Sequence, residues 1–269
     1  MRLDGRTAFI TGGTQGVGAA IACALAGAGA DLVLHGLNDD EAGRQTIETC
    51  RAAGVQVSAL FHDLMQPIET SIPELFDKAI SAASGIDLLV NNAGTFIDKP
   101  YLEMDAETYY RTMRLNVDAG YFLTQAFARR WIAAGIRGRV LFTGSINGML
   151  AEPDHTAYDT SKGAVMMMVR SLCVSLAPHG IRVNSMAPGL VISPLTGRVL
   201  NKDRDVLEWM KLHTPNGQVP MPDVCGPAAL FLLSNEAEHI HGQTLLVDGG
   251  MSIWQQPDLP DRFRKAHID

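Results

Sequence analysis

Three features of the sequence predict a single α/β domain over residues 1–269, built on one doubly wound parallel sheet of about seven strands with helices on both faces. Short apolar runs alternate with helical patterns through almost the whole chain. The first strand runs straight into a glycine-rich turn and then a helix. The composition, 46% hydrophobic and 19% charged with few aromatics, is that of a soluble protein with a large core. In such a fold the site lies at the carboxyl ends of the strands.

The first strand, 7–10, is followed by Thr11-Gly12-Gly13-Thr14-Gln15-Gly16-Val17-Gly18 and a helix at 19–28. Glycines let the backbone approach a pyrophosphate, and the helix N-terminus offers free N–H groups and a positive dipole end. Gly12, Thr14, Gln15, Gly16, Val17 and Gly18 are therefore candidate phosphate contacts. The glycine spacing differs from G-x-G-x-x-G, and a merely structural turn would read the same. A second strand, 31–35, ends at Gly36-Leu37-Asn38. Here an Asp would select the 2′-hydroxyl of NAD and an Arg the 2′-phosphate of NADP. The chain has neither; Leu37 is apolar and Gln15 uncharged, so the reading leans to NAD, with NADP as the alternative.

A helix at 40–53 and a strand at 55–60 lead to Asp63 and Leu64. Asp63 can accept from an adenine amino group or serve as a turn or capping residue. After a helix at 67–83, the strand at 87–90 ends in Asn91-Asn92-Ala93-Gly94, and Asn91, Ala93 and Gly94 suit a loop ordered against a ribose. A long helical pattern covers 106–134 with Asn116 inside it. Asn is a poor helix residue, and its apolar neighbours Leu115, Val117 and Phe122 point to a buried, functional amide.

The strand at 139–142 runs into Ser145, and a helical pattern at 163–177 follows Tyr158 and Lys162. Four residues apart, Tyr158 and Lys162 lie on one helix face, one turn from each other. An ammonium beside a phenol lowers the phenol pKa from about 10 toward working pH, giving a general acid/base for an alcohol or carbonyl. Ser145 can donate to the same oxygen. A surface Tyr and Lys on an amphipathic helix is the other reading. The strand at 181–186 is followed by Pro188, Gly189, Val191 and Ser193. The irregular stretch 194–222, with Trp209 and His213 on a helix, is a predicted lid. A helix at 223–234, a strand at 244–247 and a polar tail at 252–269 complete the chain; the tail is either loose or docked on another subunit.

The net charge of −7 argues against a nucleic-acid or anionic-membrane partner. Cys23, Cys50, Cys173 and Cys225 form no CxxC pair, so neither a metal site nor a disulfide is expected, and each reads as a small apolar filler. No signal pattern opens the chain and no apolar run approaches 18 residues, so a cytoplasmic protein is expected.

Over residues 3–251 the chain resembles the short-chain dehydrogenase/reductase family. The resemblance rests on Thr11-Gly12-x-x-x-Gly16-x-Gly18, Asn91-Asn92-Ala93-Gly94, Asn116, Ser145, Tyr158-x-x-x-Lys162 and Pro188-Gly189, in the family's order. The step from Ser145 to Tyr158 is also the family's usual one. The resemblance implies a Rossmann-type fold and hydride transfer between a nicotinamide dinucleotide and a hydroxyl or carbonyl carbon. It makes Tyr158 the general acid/base, while Lys162 tunes it and binds the nicotinamide ribose. Ser145 orients the substrate oxygen, and Asn116 holds a water in a proton relay. Val191 would bind the carboxamide through its backbone, and Ser193 stands where the family usually has Thr. The family implies a homotetramer in which the helices of Asn116 and Tyr158 meet partners. The run Val165-Met166-Met167-Met168-Val169 fits such an interface or an internal core face. The departure from the family pattern is the missing acidic or basic discriminator near Gly36-Leu37.

Substrate contacts are expected from Ser145, Asn147, Glu152, His155, Tyr158 and, on the lid, Trp209. Several hydrogen-bonding groups near the reacting carbon suit a small sugar, sugar acid or polyol, although Glu152 and His155 can equally cap the start of the Tyr158 helix. An NADPH-dependent 3-oxoacyl thioester reductase is the alternative, and its carrier would call for clustered basic residues. A non-catalytic dinucleotide sensor would have no need of the complete Asn, Ser, Tyr and Lys set.

Overall fold

The structure, a computed structural model, describes residues 1–197 and 204–254. Residues 198–203 of the expected lid and 255–269 of the tail lie outside the described residues. Among the described residues, β1 (Thr7–Ile10), β2 (Asp31–Gly36), β3 (Val57–Phe61), β4 (Leu88–Asn91), β5 (Arg139–Thr143), β6 (Arg182–Pro188) and β7 (Thr244–Val247) form one sheet. The order is β3-β2-β1-β4-β5-β6-β7, and every pairing is parallel. The winding direction changes between β1 and β4, which opens a crevice at their carboxyl ends.

Both faces of the sheet are covered, so its strands read as apolar runs rather than as alternating patterns. Along β1, Ala8 and Ile10 enter one core and Phe9 the other. The first core is closed by α1 (Gly16–Gly27), α2 (Glu41–Arg51) and, late in the chain, α8 (Cys225–Leu233). The second is closed by α3 (Ile68–Ala82), α5 (Ala119–Ala134) and α6 (Thr156–Leu176). The remaining α-helices are α4 (Ala106–Met113) and α7 (Arg204–Leu212).

Two boundaries differ from the sequence reading in ways that matter for the site. The helix expected over 106–134 is interrupted by a π turn, Arg114–Asp118, between α4 and α5. There Ala119 N–H donates to Arg114 O, one residue further back than in an α-helix. Asn116 sits buried inside this turn. The helix expected at 163–177 begins earlier, at Thr156, and so includes Tyr158 and Lys162. Of the apolar run on α6, Val165, Met168 and Val169 belong to the second core and only Met167 is well exposed. Most of that run is internal packing.

Cys23 and Cys50 are free thiols with their sulfurs 3.9 Å apart, and Cys50 packs in the first core with Cys225. Among the described residues, no helix is long and apolar enough to cross a membrane, and no three His, Cys, Asp or Glu side chains are grouped to hold a metal ion.

Phe127 on α5 anchors the second core. It is fully buried, with ring centroids 5.0 Å from Phe76, 5.5 Å from Trp131 and 5.8 Å from Phe9. Trp131 Nε1 donates to Ile86 O at 2.7 Å, which fixes that ring in turn. Phe127→Ala should therefore lower unfolding stability by about 3–5 kcal/mol, read from the denaturant midpoint. A loss under about 1 kcal/mol would mean that the cluster collapses to fill the cavity.

Candidate active site

The turn between β1 and α1 is shaped so that only glycine fits at its critical points. Gly12 and Gly16 have φ of 60° and 57°, in the left-handed region. A Cβ on Gly18 would lie 2.0 Å from Gly12 O, so any side chain there would force turn and helix apart. Gln15 starts α1 without a side-chain cap, and no acidic residue occupies the first turn, which leaves an N-terminus suited to an anion. The loop after β6 closes over this turn: a Cβ on Gly16 would be 3.6 Å from Pro194 and 3.8 Å from Ser193. Gly189, after Pro188, donates to Val247 O at 3.0 Å. Val191 is buried, and no bond among the described residues involves its N–H. Cradle, helix end and open backbone donor fit a dinucleotide.

The sequence reading missed His35, which braces the cradle from below. Gly12 N–H donates to His35 Nδ1 at 3.3 Å, Gly13 N–H donates to His35 O at 2.9 Å, and His35 Nε2 reaches His62 O at 2.9 Å. Burial holds this imidazole down at about 4, although the bond to His62 opposes the shift. It is therefore neutral, with Nδ1 as acceptor and the proton on Nε2. The only trace in the sequence was a His closing an apolar strand one turn from a phosphate cradle. Thr14 is also held, its carbonyl accepting from Thr46 Oγ1 at 2.9 Å.

At the ribose end of the crevice Leu37 is 61% exposed. A Cβ on Gly36 would come within 2.9 Å of the Thr14 side chain, so an acidic selector does not fit there unless Thr14 moves. Arg44, the nearest cation in sequence, pairs with Asp39 at 2.9 Å, and Asp40 caps α2 by accepting from Gly43 N–H. The side chains of two expected contacts are engaged elsewhere. Asp63 accepts from Met65 N–H at 2.8 Å and from Gln66 Nε2 at 3.3 Å, as a turn residue does. Asn91 Nδ2 donates to Thr124 Oγ1 on α5 at 2.9 Å, so it is turned into the fold. Leu64 is buried in the second core, and Ala93 N–H donates to Thr11 Oγ1.

Ser145, Tyr158 and Lys162 meet where β5 ends and α6 begins. Ser145 Oγ accepts from Asn147 N–H at 3.1 Å, capping the single turn Ile146–Gly148. Lys162 Nζ donates to Thr143 O at 2.9 Å and stands 5.6 Å from the centre of the Tyr158 ring. The expected lowering of the Tyr158 pKa by Lys162 is not what this geometry produces. Burial pushes the phenol up to about 12; a bond with Ser145 opposes this, while Asp159 and Glu152 add to it. Burial also pushes the Lys162 ammonium down to about 8. The lysine bonds a strand end rather than the phenol, and desolvation wins for both groups.

Asn116 has little freedom to hold a water. Its Nδ2 donates to Thr95 O at 3.0 Å and Ser161 Oγ at 2.9 Å, and its Oδ1 accepts from Thr95 N–H at 2.8 Å. The amide braces the loop after β4 against α6. A Cβ on Gly94 would stand 3.1 Å from Asn116 Oδ1, so glycine keeps that approach open. Behind it lies a cavity of about 10 Å³, lined by Asn91, Asn116, Thr143 and Lys162 among others, the size of a single water. Asn91 Oδ1 is buried with no hydrogen-bond partner among the described residues.

On the substrate side Phe96, also missed, sets its ring edge-on to Tyr158 at 5.1 Å and to His155 at 4.6 Å. His155 Nε2 pairs with Asp98 Oδ1 at 2.8 Å, and Nδ1 faces Glu152 Oε1 at 3.3 Å. Burial lowers the His155 pKa, but Glu152, Asp98 and Asp159 outweigh it and the net shift is upward. Asn147 Nδ2 bridges Glu152 Oε1 and Asp159 Oδ1. Trp209 is not brought into this group: its ring stacks on His213 at 3.7 Å, and no hydrogen bond or ring contact among the described residues joins it to Tyr158.

A family model described as enoyl-(acyl carrier protein) reductase matches residues 12–252. The chain is 31% identical over 252 residues to an L-rhamnose 1-dehydrogenase (NAD(P)(+)) from Sphingomonas sp. (strain SKA58), covering 93% of this chain and 98% of that one. The protein belongs to the short-chain dehydrogenase/reductase family. It is an NAD(P)-dependent oxidoreductase acting on CH–OH groups. A 3-oxoacyl-[acyl-carrier-protein] reductase from Aquifex aeolicus (strain VF5) is likewise 31% identical, over 93% of this chain and 99% of its own. A gluconate 5-dehydrogenase from Burkholderia cenocepacia J2315, solved in complex with NADP and tartrate, is 34% identical with a TM-score of 0.86, over 94% of this chain and 97% of that one.

The state of His35 gives the site a measurable pH signature. The unfolded imidazole takes a proton below pH 6.5, the folded one only near 4, so its contribution is fully present above pH 6.5. That contribution, up to about 3 kcal/mol, is lost as the pH falls from 6.5 to about 4. In His35→Leu, unfolding stability should fall less steeply across this window, and the dinucleotide should bind roughly 5- to 10-fold more weakly for want of the Gly12 acceptor. Urea unfolding between pH 7 and 4.5 and a binding titration check both; equal slopes would show that His35 is not held neutral.

Proposed function

We propose that the enzyme oxidises a secondary or hemiacetal hydroxyl of a small polyhydroxylated substrate of the sugar, sugar acid or polyol type, with NAD preferred over NADP. The observation that carries this reading is the convergence of Ser145, Tyr158 and Lys162 beside the glycine cradle, with polar side chains around them. Support also comes from relatives named as rhamnose, glucose and gluconate dehydrogenases.

Residues of the cradle, with Val191 and Ser193, would hold the dinucleotide, which supplies the hydride acceptor. Tyr158 as phenolate takes the hydroxyl proton of the substrate, and Ser145 donates to the same oxygen. Lys162, on the same helix face and held by Thr143 O, would meet the nicotinamide ribose. The small cavity between Asn116 and Lys162 supports a water-borne relay for the proton, in which Asn116 positions the surrounding loop. A phenolate base makes oxidation rise with pH and carbonyl reduction fall. Tyr158→Phe should lose about a hundred- to ten-thousand-fold in kcat. Its dinucleotide affinity, followed by protein fluorescence, should stay within a few-fold. Near-normal turnover in this variant would remove Tyr158 from the mechanism.

The NAD preference is supported by exposed, apolar Leu37, by the acidic run Asp39-Asp40-Glu41 and by the pairing of Arg44 with Asp39. No carboxylate at Gly36 rewards the 2′-hydroxyl, so the preference should be moderate. We expect kcat/KM to favour NAD by roughly 10- to 100-fold. Kinetics with both cofactors decide it, and an NADP preference would mean that a cation reaches the phosphate. The second reading, a reductase of 3-oxoacyl thioesters, is favoured by the Aquifex relative; it requires NADPH-linked reduction of such a thioester to exceed sugar oxidation. A homotetramer is proposed on the family pattern, supported by Tyr121 and Phe122 exposed on α5.

A further inference from the structure

Two loops meet over Tyr158. One follows β4 and carries Phe96 and Asp98; the other follows β5 and carries Asn147, Glu152 and His155. Lys99 N–H donates to Asp154 O at 2.9 Å, which ties the loops together. His155 lies between two carboxylates: its Nε2 pairs with Asp98 Oδ1 at 2.8 Å, and its Nδ1 faces Glu152 Oε1 at 3.3 Å, an oxygen that accepts from Asn147 Nδ2 at 3.1 Å. The other oxygens, Asp98 Oδ2 and Glu152 Oε2, take no hydrogen bond from the described residues, and each side chain is 46% exposed. Asp159 differs, with both oxygens occupied by Asn147 Nδ2 and Glu152 N–H.

Resting on the dehydrogenase reading above, we propose that this site takes an uncharged polyhydroxylated substrate, an aldose or alditol, whose neighbouring hydroxyls donate to Asp98 and Glu152, and that it disfavours sugar acids. An ionised carboxylate only accepts hydrogen bonds, so the two free carboxylate oxygens, on the loops whose Phe96 and His155 rings meet Tyr158, call for donors. A sugar offers them on adjacent carbons. A sugar acid brings a carboxylate that can donate to neither. Charge acts in the same direction: the carboxylates of Asp98, Glu152 and Asp159 gather around the single imidazole of His155 and disfavour a further anion. Lys99 is paired with Asp105. The edge of Phe96 adds an apolar wall suited to the C–H face of a sugar ring.

The test uses pairs that share a carbon skeleton, sorbitol against gluconate and rhamnitol against rhamnonate, with glucose and rhamnose alongside and both cofactors supplied. The expected result is a kcat/KM at least 10-fold higher for the uncharged member, with the ratio shrinking as salt screens the carboxylates. Glu152→Gln keeps an oxygen for Asn147 but removes the charge, and should cut that ratio about 5-fold or more. Asp98→Asn serves the same purpose should the first variant fold poorly. Gluconate or rhamnonate turned over as well as, or better than, its uncharged partner would overturn the inference and leave the dehydrogenase reading standing. Reduction of 3-oxoacyl thioesters without oxidation of any member would overturn both.

Discussion

The carboxyl ends of β1, β4 and β5 are tied by one amide side chain, Asn92. Its Nδ2 donates to Thr11 O at 3.1 Å and Gly12 O at 3.0 Å, and its Oδ1 accepts from Thr143 Oγ1 at 3.1 Å. Strand ends in a parallel sheet leave peptide groups without ladder partners, and each needs an alternative. Here Asn92 supplies that alternative twice, to Thr11 O and Gly12 O, and Thr11 Oγ1 returns the favour by accepting from Asn92 and Ala93 N–H. Thr143 then passes the constraint on, because its carbonyl receives Lys162 Nζ. The glycine turn, the loop after β4 and Lys162 are thus fixed relative to one another through one small, polar knot.

Tyr158 and Lys162 show what that fixed geometry does to chemistry. Each is shifted toward its neutral form, the phenol up to about 12 and the ammonium down to about 8. Both shifts have one main cause, the cost of placing charge in a buried site.

The strands, their order of appearance and the Tyr158/Lys162 face were legible because burial on both sheet faces and a helical step of four both leave simple periods. The π turn was not, since five residues of altered winding look the same as an α-helix in an apolar pattern. Asp63 and Asn91 were placed at the right strand ends, but where their side chains point depends on Met65 and Thr124, which no local pattern announces. Phe96 and Asp98 lie in a loop without periodicity. His35 was hidden inside a strand whose other residues all report packing. The shift at Tyr158 depends on depth of burial, and a neighbouring lysine reveals only the opposing effect.

The π turn carries a consequence for how α4 and α5 are related along the chain. An α-helix advances about 100° per residue, so one surplus residue puts the two helices out of phase by about that angle. The apolar stripe that α5 lays on the sheet is therefore not the continuation of the stripe on α4. Removing any one residue from Arg114–Asp118 would heal the winding into a single long rod. Removing Arg114 or Leu115 in this way would also turn Asn116 by about 100° relative to α4, away from Thr95 and Ser161. The brace at the heart of the site exists because the helix is one residue too long, and an insertion that local propensity disfavours is kept by what it points at.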